Sequence, residues 1–298
     1  MAIVEATKDG RARVMRSAAA ARNPAARLVD AARGENFPVA SRLIPKRLRG
    51  RVVAFYNYAR AADDAADDPW KTPEQRLERL ADLERGLLEG TAANPGATLR
   101  RALADGSAPA DAAALAASRD LLVAFRRDAG GIACADWDDL QTYCTFSARP
   151  VGRFLLAIHE EAADTHAPSD ALCDALQVLN HLQDIAADRR DLGRRYLPGE
   201  WMAGAGASDD DLTRDALTPG LRQVVDRTLD ACDELLSRAA PLPGRIAARG
   251  LRGQATATLA LANRLSRRLR AGDPLADRIA PSRTDFLRAG LAGLWAAR

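Results

Sequence analysis

The stretch QVLNHLQDIAADRRDLGRRYLP, Gln177 to Pro198, decides how the rest of the chain is read. On a helix at about 100° per residue, Gln177, Asn180, His181, Asp184 and Asp188 fall within roughly a 100° arc, while Val178, Leu179, Leu182, Ile185 and Ala186 take the other side. The apolar side predicts burial. The polar side stacks Asp184 and Asp188 at i, i+4, where two carboxylates repel unless a cation lies between them. In VVAFYNYARAADDAADD, Val52 to Asp68, the pattern recurs: Tyr56, Arg60, Asp63 and Asp67 lie within about 60° of one another, with Asp64 at the edge. A single DxxxD on a helix is ordinarily a solvated face. Two of them, each flanked by Arg or amide side chains and backed by an apolar face, predict facing helices that line a site for hard divalent cations. Mg²⁺ of that kind completes its octahedron with water and phosphate oxygens, so the implied substrate is a diphosphate.

The composition is compatible with that reading. A chain of 298 residues with 47% apolar side chains can form one large domain or two small ones. The two Asp pairs make chemical sense only together, which favours one. With 43 basic and 40 acidic residues the charge is close to balanced, so no nucleic-acid partner is indicated. Cys134, Cys144, Cys173 and Cys232 form no CxxC pair, which argues against zinc and disulfides and for a reducing cytoplasm. No apolar run is long enough to span a membrane. The first 30 residues lack the continuous apolar core of a secretory signal. Residues 1–33 are expected to be a poorly ordered arm ahead of a helical domain over 34–298.

Ala, Leu and Arg dominate, apolar residues recur at three and four, and Pro and Gly punctuate helices of ordinary length, so the fold class is all-α. Thr72-Pro73-Glu74-Gln75 predicts a capped helix through about Glu89. Asp111, Asp136, Asp138, Asp139 and the Asp209 to Asp211 run are expected at helix N-termini in structural roles. His159 and His166 are expected on the surface.

Both acidic stretches, together with ENFPVASRLIPKRLR (Glu35 to Arg49) and YCTFSARPVGR (Tyr143 to Arg153), resemble the squalene/phytoene synthase family over about Asn36 to Trp295, and within it the bacterial hopanoid-pathway branch. The resemblance implies a single-domain isoprenoid synthase bundle with a central cavity. It implies Mg²⁺ held by Asp63, Asp67, Asn180, Asp184 and Asp188. Arg60, Arg195 and Tyr196 would donate to the diphosphate, and Tyr56 would face the developing charge. Phe37, Ser41, Tyr143, Ser147 and Gln177 would contact substrate. Phe37, Phe55, Phe146, Phe154, Leu155 and Leu179 are candidates for the hydrocarbon wall.

The reaction implied for that branch is ionisation of presqualene diphosphate, rearrangement, and capture of the cation by water without a reductant. Gln177 and His181 are the candidates for holding that water. His181 stands where an aromatic or aliphatic residue is expected. Joining two prenyl diphosphates head to head, to presqualene diphosphate, squalene or phytoene, shares the same motifs. A non-catalytic helical assembly factor is the reading from another class, and the intact acid pairs oppose it. Functional coupling to the enzyme that makes presqualene diphosphate would follow. Near the C-terminus, ANRLSRRLR (Ala262 to Arg270) and FLRAGLAGLW (Phe286 to Trp295) read either as peripheral contact with an anionic membrane or as closing helices with solvated Arg; the second is preferred.

Overall fold

Capping residues and prolines cut the chain where the sequence places them. A computed structural model describes residues 43–298; the expected arm over 1–33, Phe37 and Ser41 lie outside the described residues. Helix α1 (Lys46–Ala66) carries the first acidic stretch, with Asp67 as its C-cap. Helix α2 (Pro73–Glu89) opens with a capping box between Thr72 and Gln75, and α3 (Pro95–Ala102) is capped by the Asn94 side chain. Then come α4 (Pro109–Ala129), α5 (Trp137–Ser147), α6 (Arg149–Ile158), α7 (His166–Gln183), α8 (Ile185–Leu192) and α9 (Gly199–Gly204). The chain closes with α10 (Pro219–Ala239), α11 (Leu242–Arg245), α12 (Arg249–Ala271) and α13 (Arg283–Ala296). One isolated bridge, Ala133 to Arg195, is the β pairing among the described residues.

Two apolar cores fill the bundle. One gathers Leu48, Phe55 and Tyr58 of α1 with Leu80, Leu122 and Phe154. The other gathers Leu140, Val178, Leu179, Leu182, Leu229 and Leu265 from α5, α7, α10 and α12. Leu155 packs against both. Phe55 and Phe154 stack with ring centroids 3.9 Å apart, which ties α1 to α6. Helix α7 buries its apolar stripe in the second core, against α10 and α12, and packs on α5 and α6 as well.

Several acids have structural work, in line with their positions. Asp136 accepts the Asp139 N–H at the start of α5, Asp211 closes a capping box with Ser208, and buried Asp111 pairs with Arg51 at 2.8 Å. The histidines depart from expectation. His159 is half-buried, with Nδ1 2.8 Å from the Leu155 carbonyl, and His166 is half-buried against Arg153. Both sit where α6 turns back over α7, and that packing takes them off the surface.

The Phe154 side chain is fully buried. Phe154→Ala is expected to lower stability by about 3–5 kcal/mol. Chemical denaturation should show this as a lower midpoint with an unchanged slope.

Candidate active site

The geometry begins where α8 stops. Gly193 takes φ +66°, the left-handed cap that only glycine adopts without strain. Beyond it the chain runs extended: Arg195 N–H bonds the Ile132 carbonyl and Cys134 N–H bonds the Arg195 carbonyl, both at 3.0 Å. Side chains alternate along such a segment, so Arg194 and Tyr196 go to one side and Arg195 to the other.

Arg194 is nearly inaccessible, at 5% side-chain exposure, and its Nη1 lies 2.7 Å from Asp67 of the first acidic stretch. Its Nη2 donates to the Asp128 carbonyl at 3.1 Å. The Asp128 carboxylate accepts the Tyr143 hydroxyl at 2.8 Å and the Tyr196 hydroxyl at 3.0 Å. Burial pushes the Asp128 carboxyl up, while Arg194 and the two hydroxyls pull it back. Burial, and then the Asp128 charge, hold both tyrosine hydroxyls protonated well above their ordinary value. The stretches around Asp67 and Asp188 thus meet through Arg194 and Asp128.

On the α1 side, Arg60 reaches Asp64 at 2.9 Å and Asp63 at 3.5 Å, in pairs that are about half exposed. Half-buried Tyr56 lies within electrostatic range of Arg60. Asp63 is pushed up to about 6 by burial and then by Asp67, with Arg60 opposing.

On the α7 side the chain bends at Asp184, which separates α7 from α8. Helical bonds nevertheless bridge the bend, from Asp184 N–H to the Asn180 carbonyl and from Asp188 N–H to the Asp184 carbonyl, so the i, i+4 stacking survives. Burial and then Asp188 raise the Asp184 carboxyl, while Arg278 and His181 oppose. The His181 ring stacks on Tyr196 at 3.6 Å, its Nδ1 lies 3.6 Å from Asp188, and its Nε2 lies 3.1 Å from the Gln177 amide nitrogen.

The donor set suits Mg²⁺. The Asn180 amide oxygen is buried without a hydrogen-bond partner, as is the Ser147 hydroxyl. A hard cation or its water answers that need. Among the described residues no three His, Cys, Asp or Glu side chains converge tightly enough to hold an ion by themselves. An Mg²⁺ site completed by water and phosphate oxygens does not require that.

The structure brings Tyr56, Arg60, Asp63 and Asp67 together on one side, and Tyr143, Gln177, Asn180, His181, Asp184, Asp188 and Tyr196 on the other. Arg195 borders a small cavity with His181, Asp188, Arg194 and Tyr196, but its guanidinium is engaged elsewhere. It donates to the Cys134 and Leu197 carbonyls at 2.7 and 2.6 Å and pairs with Asp209 at 2.9 Å. Phe55, Phe154 and Leu179 lie in the cores, and Phe146 is partly buried against one of them. Leu155 instead helps line an apolar cavity of about 150 Å³ with Gly152, Leu172, Cys173, Leu176 and Leu251. That cavity runs along the Asn180 face of α7, upstream of Asn180. A larger groove of about 870 Å³ lies elsewhere, between α4 and α6, and its Arg149 and Arg153 are already paired with Asp174 and Asp170.

Three site residues escape a reading by spacing. Arg194 could have been found from strand alternation after Gly193. Asp128 ends a helix with no motif around it, and Arg278 comes from the loop before α13, so neither leaves a local signal.

An all-α bundle that brings two acidic helical stretches together around a buried arginine and buried tyrosines defines a class, the isoprenoid synthases. Residues 31–285 match the family model described as Squalene/phytoene synthase, and the chain belongs to that family. It is 40% identical over 263 residues to the hydroxysqualene synthase of Rhodopseudomonas palustris, covering 88% of each chain. It is 38% identical over 264 residues to the hydroxysqualene synthase of Zymomonas mobilis, covering 88% of this chain and 87% of that one. Among solved structures, a squalene synthase from Alicyclobacillus acidocaldarius superposes with a TM-score of 0.68 at 30% identity, over 79% of this chain and 88% of that one.

The raised Asp63 carboxyl makes a signed prediction. Its folded value, about 6, lies above the ordinary aspartate value of 3.8, so its contribution to stability is present below about 3.8 and is lost as pH rises through about 6. In metal-free protein, Asp63→Asn should therefore match the parent near pH 4. Above pH 6.5 it should melt higher, by about 2–4 °C if roughly 1 kcal/mol is relieved. The effect is kept modest by the 43% exposure of the side chain. A melting-temperature difference that is flat with pH would contradict it.

Proposed function

We propose that this chain is a hydroxysqualene synthase, which ionises presqualene diphosphate, lets the cation rearrange, and adds water to give hydroxysqualene and diphosphate. The observation that carries the reading is the convergence of the Asp63/Asp67 and Asp184/Asp188 pairs through Arg194 and Asp128, with the Gln177–His181 pair beside Asp188. Relatives of that name, 35–40% identical over 88% of the chain, support the choice of substrate.

Asp63, Asp67, Asp184 and Asp188, with the Asn180 amide oxygen, would hold Mg²⁺. Bound there, Mg²⁺ supplies the Lewis-acid charge that stabilises the leaving diphosphate. Arg60 turns from Asp63 and Asp64 to the phosphate oxygens, where its planar fork engages two at once. Arg278 adds a second cation on the α7 side. Arg195 braces the extended segment that presents Arg194 and Tyr196. Asp128 locks Tyr143 and Tyr196, so their rings offer fixed π faces to the carbocation, and Tyr56 does the same from α1. The apolar cavity along α7 takes part of the prenyl chain, with Ser147, and with Phe37 and Ser41 from beyond the described residues, at substrate contacts.

Gln177 and His181 hold the water. It attacks the cation through an oxygen lone pair, and the resulting oxonium loses its proton to the imidazole paired with Asp188. Substrate tail and product are both lipid-soluble. The enzyme therefore works from the cytoplasm at the inner membrane face, next to the enzyme that supplies presqualene diphosphate. Among the described residues no helix is long and apolar enough to cross that membrane.

The test is incubation of purified protein with Mg²⁺ and presqualene diphosphate, and separately with farnesyl diphosphate, without reductant, followed by mass spectrometry of the lipid extract. Hydroxysqualene from the first substrate alone is expected. Presqualene diphosphate from the second would move the chain to head-to-head condensation. Silence from folded protein with both would sink the catalytic readings and favour an assembly factor. Asp184→Asn should lower kcat by roughly 100-fold or more. His181→Phe should keep diphosphate release while shifting product from the alcohol towards hydrocarbon.

A further inference from the structure

Helix α13 has two unlike faces. Its inner face is a seam of small residues against α12: a Cβ on Gly293 would fall 2.6 Å from the Gly253 carbonyl oxygen, and one on Gly253 would fall 2.5 Å from that of Gly293. Backbone meets backbone there, so the helix is held rigidly on the bundle. Its start is pinned as well. Ser282 and Asp285 form a capping box, and the Asp285 carboxylate is taken by Arg268 at 2.7 Å and Arg264 at 3.3 Å. Asp285 is the one acidic residue of α13, and it is buried.

The outer face carries Leu287, Leu291, Leu294 and Trp295, exposed at 64, 60, 56 and 73%. At about 100° per residue they occupy roughly a 100° arc, with Phe286 well to one side of it. Large apolar side chains are exposed at ten positions among the described residues, and five of the ten are on this helix. The charges accompanying them are exposed Arg283 and Arg288 on α13 and exposed Arg298 just past its end, with the Arg298 guanidinium 5.0 Å over the Trp295 ring. Solvated closing arginines describe Arg264 and Arg268, which serve the fold through Asp285. They leave the apolar outer face unexplained.

We propose that the outer face of α13 is a membrane-docking surface, which lies on a bilayer containing anionic lipid with Leu287, Leu291, Leu294 and Trp295 inserted and Arg283, Arg288 and Arg298 at the headgroups. Charge selects this occupant. A second copy of the chain would set the same three arginines against themselves across a two-fold axis, with no exposed acid on the helix to answer them. A convex ridge, apolar along its crest and basic along its flanks, matches a helix lying in the plane of an interface. The arginine stems lie along apolar surface while their heads reach phosphate, and Trp favours the same depth. The surface stands on the shape and charge of α13 and holds whatever reaction the site performs.

The experiment is co-sedimentation of the full chain, without substrate, with vesicles of phosphatidylcholine alone and of phosphatidylcholine containing phosphatidylglycerol. Binding to the mixed vesicles, weakened by salt, and little binding to the neutral ones is expected. The Leu291→Ser/Trp295→Ser variant should bind at least about tenfold more weakly. Arg283→Gln/Arg288→Gln should lose about tenfold or more and flatten the salt dependence. All four side chains are exposed, so both variants should keep the parent melting curve; if the apolar pair misfolds, the arginine pair decides. Absence of sedimentation, or binding that neither variant changes, overturns the proposal. So does a dimer in vesicle-free buffer that the apolar variant dissolves, which would assign the face to a second copy.

Discussion

Acids crowded into one region have to be balanced, and the site is built around that constraint. Asp63 and Asp67, like Asp184 and Asp188, stand one helical turn apart. At roughly 5–6 Å and an effective dielectric of about 20, each pair costs at most about 3 kcal/mol. Burial raises the cost, which is why Asp63 and Asp184 both bind protons more tightly than an ordinary carboxyl. The protein answers with cations from three directions: Arg60 within α1, Arg194 from the segment after α8, and Arg278 from the loop before α13. The partial compensation is the chemically useful part. A fully neutralised cluster would have no charge left to attract a cation.

Arg194 and Asp128 join the halves of that arrangement. Asp128 ends α4, Tyr143 lies on α5, and Arg194 and Tyr196 come after α8; the Asp128 carboxylate takes both tyrosine hydroxyls and its main-chain carbonyl takes Arg194, so one residue fixes the relative position of three segments. Removing any partner would leave a buried charge or hydroxyl unsatisfied, the expensive case for a low-dielectric interior. The same network clusters three rings beside Asp188, with His181 stacked on Tyr196 and Tyr143 tilted against both.

The bundle therefore has a polar, charged site, a separate apolar cavity beside the earlier turns of α7, and a basic, apolar helix on its outside. This division suits a reaction whose polar product is diphosphate and whose other participants belong in lipid. The rigid small-residue seam under α13 lets that helix expose apolar side chains without loosening the bundle.

Much of this was legible in the residues alone. Periodicity and capping residues set the helices: the run Thr72 to Gln75 forms its capping box, and the Asp pairs stack one turn apart, because these features depend on neighbours within four or five positions. The family was legible for the same reason, since its motifs are local. What the sequence could not decide depends on contacts between distant segments. Arg194 rather than Arg195 reaches the acids because pairing with residues 132–134 makes the backbone extended there, and an extended backbone sends alternate side chains opposite ways. Asp128 gained its role from tyrosines 15 and 68 positions away. Phe55 and Phe154 went to the core and Leu155 to a cavity, although composition makes them equivalent. Which side of a residue meets solvent, substrate or another helix is set by packing, and packing is a property of the whole chain.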